Sequence, residues 1–319
     1  MRFAPLSLAL LLAAGPALAA RKPKPPPLPP LPPLVLPAAA PVIEVMIAGQ
    51  TARLTVDIGG DDIVQINPAS PLRAMLASET RADGSTADRG RYRVAVGQTA
   101  MAIPFSREQL LIAGRPLAAR VLTPASVTAA ADSDGTIGLP LLPHDVVKLQ
   151  LRPPAAADRS AVLPARIGRS DAWGFDWKLA NGAVLDVELH LLRPVSVIAA
   201  AAAAELADVG GGKLVGPVQR MPISFGAIRP VRVLELARPV AIANLSLQRA
   251  AVRLFDWAGK AELPPDAEAD DAALVIGKRG RQGAWRNLKL GRDVLGRCAS
   301  ISWQRDPADP QRGRFTLQC

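Results

Sequence analysis

From Pro41 onward the chain is written in short apolar, β-branched runs broken at glycines. Val42 to Ile47 and Thr51 to Val56 flank Ala48-Gly49-Gln50, while Trp173 to Leu179 and Ala183 to Leu189 flank Ala180-Asn181-Gly182. Each stretch reads as strand, tight turn, strand, and Asn-Gly is a strong hairpin signal. Downstream of the first comes Asp134-Gly135-Thr136-Ile137-Gly138-Leu139-Pro140-Leu141-Leu142, then a strand from Val146 to Leu151. Downstream of the second comes Asn287-Leu288-Lys289-Leu290-Gly291-Arg292-Asp293-Val294-Leu295, then a strand from Ala299. In both, an apolar residue and a glycine precede a Leu-containing turn and a closing strand. One plan used twice is the simplest account. It predicts an all-β chain of two similar lobes, 42–155 and 172–319, with short helices and a linker at 156–171, inside the stretch Arg152 to Asp171 that is rich in Pro, Ala and Arg. Ala199 to Leu206 is an alanine run and predicts one of those helices.

Residues before Pro41 belong to neither copy. Arg2, the apolar run Leu6 to Ala14 and the small-residue step Ala17-Leu18-Ala19 have the layout of a secretory signal peptide, 1–19. That run is too short to span a bilayer, and no later stretch is long and apolar enough, so the mature chain is expected to be periplasmic or secreted without a transmembrane helix. Residues 20–41 are rich in proline and read as a stiff polyproline spacer.

Composition narrows the function classes. Apolar residues make up 49% of the 319, which excludes a disordered chain, and 31 prolines with 25 glycines argue against a long-helix bundle. With two histidines and two cysteines in all, a multi-ligand metal site built from those residues is nearly excluded, and no cofactor is expected. Cys298 and Cys319 bracket a hairpin whose turn, Arg305 to Gly313, lies midway between them, so they face each other and favour a disulfide in an oxidising compartment. The net charge is +10, and Lys278 to Arg314 carries ten Lys and Arg against Asp293, Asp306 and Asp309. Nucleic acid is disfavoured for an exported protein in which only Trp285 and Trp303 are available here to stack on bases. An anionic envelope polymer or lipid surface fits a basic face better.

The chemistry-bearing residues follow the Gly turns. Gly49-Gln50-Thr51-Ala52-Arg53-Leu54-Thr55-Val56-Asp57-Ile58-Gly59-Gly60, together with Asp134 to Leu142, resembles the retropepsin-like and pepsin-like aspartic peptidases in a bacterial two-lobed form. The resemblance implies two carboxylates, one per lobe, sharing a proton. Asp57 is the first. It stands eight residues after Gly49, and eight residues after Gly182 stands His190, in Glu188-Leu189-His190-Leu191-Leu192-Arg193, with no Asp-Thr-Gly. Ile58 and Leu191 replace the family's hydroxyl residue and offer no hydrogen bond across the interface.

The expected protein is therefore an aspartic-peptidase-like chain with an impaired dyad, whose interlobe cleft binds an extended peptide or protein ligand as an added strand. Asp57 is the candidate catalytic carboxylate and is expected to cap local N–H groups; His190 stands at the position equivalent to the missing second Asp and is a candidate to face Asp57 as an ion pair. Gly59, Gly60 and Tyr92, the last on a flap-like stretch Arg91 to Gly97, are candidate substrate-binding positions. The alternatives are an active endopeptidase using Asp57 with a displaced Asp186 or Glu188, and an envelope-binding module acting through the basic stretch. Asp61 and Asp62 read as a solvated turn, and His144 as exposed.

Overall fold

The computed structural model describes residues 29–78, 88–96, 99–168, 171–254, 275–276 and 285–319. The expected signal peptide, the first part of the spacer, and Lys278, Arg279 and Arg281 lie outside the described residues. After strand β1 (Leu34–Pro37) come β2 (Val42–Ile47), β3 (Gln50–Asp57), β4 (Ile63–Ile66), helix α1 (Leu72–Ala77), β5 (Arg89–Val96), β6 (Thr99–Ile112), β7 (Arg115–Leu122), β8 (Gly135–Gly138) and β9 (Val146–Gln150). Then follow β10 (Ser160–Ile167), β11 (Trp173–Lys178), β12 (Val184–Leu189), β13 (Val197–Ile198), α2 (Ala200–Gly210), β14 (Gly212–Ser224), β15 (Ala227–Ile242), β16 (Leu245–Arg253) and β17 (Val275–Ile276). The chain closes with β18 (Asn287–Leu290), α3 (Arg292–Leu295), β19 (Ser300–Arg305) and β20 (Arg312–Gln318). The protein is mostly β with few short helices.

The repeat read from the sequence is a repeat of strand pairing. In the first half β3 runs parallel to β8, from Leu54 beside Gly135 to Asp57 beside Gly138. β8 is antiparallel to β4, and β4 is parallel to β7. In the second half β12 runs parallel to β18, from Asp186 beside Asn287 to Leu189 beside Leu290. β18 is antiparallel to β13, and β13 is parallel to β16. Both sets open on the glycine-turn hairpins, β2–β3 and β11–β12, where Gly49 and Gly182 hold φ of +82° and +86°, a conformation cheap only for glycine. Both also carry an antiparallel three-strand ribbon, β5–β6–β7 and β14–β15–β16.

The closing strands tie the halves together. β9 and β19 pair antiparallel, Val147 beside Trp303 and Gln150 beside Ser300. Trp303 packs edge-on against Trp173, ring centres 5.0 Å apart, and both are buried. One apolar cluster runs from Leu36 through Leu54, Trp173 and Leu288 to Leu317, so the two halves share a core. Leu31–Cys319 is one compact unit. Cys298 and Cys319 lie at disulfide distance, their sulfurs 2.00 Å apart, at the open end of the β19–β20 hairpin. α2 forms where alanines predict it but runs to Gly210, ending on Gly211 in the left-handed conformation.

Several expectations need correcting. The spacer is not proline helix throughout: Leu34 to Pro37 pairs parallel with β9, because the three residues between Pro33 and Pro37 keep their N–H groups and Leu36 finds the core. The expected linker contains β10, which pairs with β20 from Ser160 beside Gln318 to Arg166 beside Arg312. Its Ala, Pro and Arg content disguised a strand that buries only Leu163 and Ala165. His144 is buried, not exposed, and donates from Nδ1 to the carbonyl of Pro32 at 3.0 Å. Trp303 is in the core and cannot stack on a base. Among the described residues no helix is long and apolar enough to cross a membrane.

Candidate functional site

The site lies where the loop after β3 meets the loop after β12. Asp57 ends β3, and its Oδ1 accepts from the N–H of Gly59 at 3.1 Å, the local capping expected of it. Gly60 N–H donates to the Asp57 carbonyl at 3.1 Å and completes the reversal. His190 follows β12, and its N–H donates to Leu290 at the end of β18. Register therefore sets His190 in the second half where Asp57 stands in the first. The two loops touch: a Cβ on Gly59 would lie 2.4 Å from the Leu189 carbonyl oxygen and 2.5 Å from His190 Nδ1. Ile58 and Leu191 are both buried in the shared core. Gly59→Ala is expected to cost about 1–3 kcal/mol in a urea titration, because a backbone oxygen must move to admit the methyl group. An unchanged midpoint would mean the loops are not in contact.

Behind His190 lies a buried charge cluster. Glu188 is fully buried; Asn287 Nδ2 donates to its Oε1 at 2.7 Å, and Lys289 Nζ lies 3.0 Å from its Oε2. His190 Nε2 donates to the same Oε2 at 2.9 Å. Burial alone would raise the Glu188 carboxyl, but Lys289 and His190 outweigh it and hold the group well below the usual carboxylate range. Burial, then the Lys289 charge, pull His190 below its ordinary value against the pull of Glu188 and Asp57. His190 is thus a neutral ring at pH 7 with its proton on Nε2, and its Nδ1 edge turns toward Gly59. The candidate ion pair between His190 and Asp57 is corrected by this arrangement: the ring is neutral, and its Nε2–H bonds to Glu188.

Asp61 is not part of a solvated turn. It is half-buried, and its carboxyl is pushed up to about 7 by burial and by the nearby charges of Glu188, Asp57 and Asp171, with Lys289 opposing. Asp62 differs: it pairs with Arg120 at 2.5 Å.

A cleft of about 330 Å³ opens above these loops. Asp57, Gly59, Gly60, Asp61, His190 and Lys289 form its floor, and the Pro222–Gly226 tip of the β14–β15 hairpin lies across it. Arg193 donates to the carbonyls of Pro222 and Ile223, tying that tip to the floor. Neither displaced-carboxylate candidate lines the cleft. Glu188 is held under the floor, and Asp186 accepts from Trp285 Nε1 at 3.0 Å on the far side. Tyr92 stands in β5, beside the cleft rather than in its lining; its ring meets Phe225 edge-on at 6.2 Å, under Arg120 at 5.0 Å.

Three participants escaped the sequence reading. Arg193 carries no sequence signal beyond its place near His190. Lys289 carried a readable signal, a lone cation between leucines in a strand that must be buried. Phe225 carried none, because its importance comes from a contact made across the molecule. Several cations of the basic stretch are engaged among the described residues. Lys289 points inward, Arg286 pairs with Glu205, Arg292 donates to the Leu191 carbonyl, and Arg314 donates to Gln304.

No protein-family model matches this sequence, and no curated protein matches it. Function must therefore be argued from the site. Among the described residues no group of His, Cys, Asp and Glu side chains could hold a metal ion.

Proposed function

We propose that the chain is an exported aspartic-peptidase-like protein of two retropepsin-like lobes, 42–155 and 172–319, that has lost the shared-proton dyad and uses its interlobe cleft to bind an extended peptide. The observation that carries this is the pairing of positions: the loop bearing Asp57 abuts the loop bearing His190, each placed by the same pattern of parallel and antiparallel strands. A neutral imidazole backed by a buried carboxylate cannot share one proton with Asp57 as a second carboxylate does. Export is supported by the Cys298–Cys319 pair, since disulfides persist in oxidising compartments.

The endopeptidase reading requires Asp186 or Glu188 in the cleft, and neither lines it. The envelope-binding reading requires the cations to be free, and Lys289 and Arg286 are paired with Glu188 and Glu205. The test is to incubate the folded protein with a mixture of random-sequence decapeptides from about pH 3 to 7, the range over which carboxyl dyads work. Mass spectrometry is expected to find peptides retained and no new termini. Cleavage that disappears in Asp57→Ala would sink the proposal and make Asp61, which shares the cleft floor, the partner carboxylate. Absence of both retention and cleavage would remove the peptide ligand.

A further inference from the structure

The β14–β15 hairpin turns on two residues, Phe225 and Gly226, with φ of +46° and +78°. Such a turn needs positive φ at both positions and is normally built from Asn-Gly or Gly-Gly. A phenylalanine there is a strained outlier, and strain of this kind collects at clamps and switches. What holds Phe225 in place is its seat. Its ring packs against the buried cluster of Ile63, Ile103 and Leu122 and meets Tyr92 edge-on. Every one of those residues belongs to the first half, to β4, β5, β6 and β7. This cluster is separate from the main core, and Phe225 is its one member from the second half. Next to it Ala227 seats against Met101, both buried. The hairpin tip thus reaches across the cleft and fills an apolar recess beside the Asp57 loop.

We propose that Phe225 is an internal plug, holding the place that an aromatic or large aliphatic side chain of the bound peptide takes when the hairpin swings away. This rests on the peptide-binding reading of the cleft and gives it a ligand preference. Three features agree with it. The recess is apolar and adjoins the cleft. The cleft at about 330 Å³ sits at the lower end of small-ligand pockets, so an extended peptide needs the tip to move. And the plug is kept despite the strain in its backbone, which a glycine or asparagine would relieve.

Removing the plug removes the cost of opening, which otherwise weakens the apparent affinity in proportion to the closed population. The full chain is compared as wild type, Phe225→Asn and Phe225→Leu. Asn-Gly suits the turn, so Phe225→Asn is expected to fold, and cooperative thermal unfolding checks this. Leu keeps an apolar plug and serves as the folded control. Three probes are used: the dye 8-anilinonaphthalene-1-sulfonate, tyrosinate absorbance, and acetylated pentapeptides with Phe or Ala at the centre. Tyr92 is the chain's one tyrosine, so the absorbance reports on the recess alone. Its hydroxyl is pushed up to about 12, by burial first and then by Asp61.

Phe225→Asn is expected to brighten the dye, to let Tyr92 ionise nearer its ordinary value of about 10, and to bind the Phe-centred peptide roughly tenfold more tightly than wild type. Phe225→Leu is expected to stay near wild type on dye and tyrosinate. Unchanged dye uptake and unchanged tyrosinate titration in Phe225→Asn would overturn the plug. If both move and neither peptide binds, the plug stands and the peptide reading of the cleft falls.

Discussion

Glu188→Ala is expected to lower the stability of the folded protein by about 3–5 kcal/mol, the usual cost of removing one member of a buried ion pair. The carboxylate is fully buried and answers three donors at once: Asn287, Lys289 and His190. Deleting it leaves the Lys289 ammonium, largely buried at the cleft floor, without its partner, beside a histidine whose Nε2–H has lost its acceptor. The charge must then be neutralised or the site opened to water, and either is costly. The penalty has a pH signature. Because the Glu188 carboxyl is held below its unfolded value, its stabilisation is fully present above about pH 5 and is lost as the pH falls toward the folded-state value. Urea titrations at pH 7 and pH 4 check both statements. A loss below 1 kcal/mol at pH 7 would show that water already reaches the cluster. The double variant Glu188→Leu with Lys289→Met is expected to recover much of the loss, since a matched apolar pair needs no solvation.

That cluster also marks how far the sequence could be read. The hairpins at Gly49 and Gly182 are legible because turn chemistry is local, and a spacing of eight residues from each glycine reaches Asp57 and His190 without reference to strand register. Strand pairing then places both residues at the end of equivalent parallel strands. The pairing of Glu188 with Lys289 was not legible, because they are separated by a hundred residues and meet only when β12 and β18 run side by side, Glu188 beside Lys289. β1 and β10 were hidden for another reason. Their proline and alanine content is what spacers and linkers are made of, and only partners supplied by β9 and β20 turn them into strands. Phe225 lay beyond local reasoning altogether, since the residues that justify it come from the opposite half of the molecule. What the sequence reveals here is what neighbours in the chain decide. The floor of the cleft is legible to that extent, and its charges and its roof are not.

Asp61→Asn should act in the opposite sense to Glu188→Ala, raising stability at pH 8 by on the order of 2–4 kcal/mol. The folded carboxyl is pushed up to about 7 from its ordinary value of 3.8, and burial is the main cause. Between those values the folded protein holds a proton that the unfolded chain has released, so this group's contribution to stability falls as the pH rises from about 4 through 7. The full shift corresponds to about 4 kcal/mol, and the half-buried setting of Asp61 reduces it by solvent screening. His190 slopes the other way, since its ring is held below its ordinary value and stability is lost as acid protonates the unfolded chain. The sum of these groups conceals each of them, and the difference between wild type and Asp61→Asn isolates one. That difference should be near zero at about pH 4 and widen to its full size by pH 8. A gap that does not change with pH would mean that Asp61 is ionised throughout and solvated. The same proton sets what the cleft floor offers a ligand. Below about pH 7 Asp61 carries a hydroxyl that can donate to a peptide carbonyl, and above it two carboxylate oxygens that only accept. A peptide whose backbone accepts from Asp61 should therefore dissociate more readily as the pH rises from 6 to 8, and Asn, which keeps an N–H donor, should flatten that dependence.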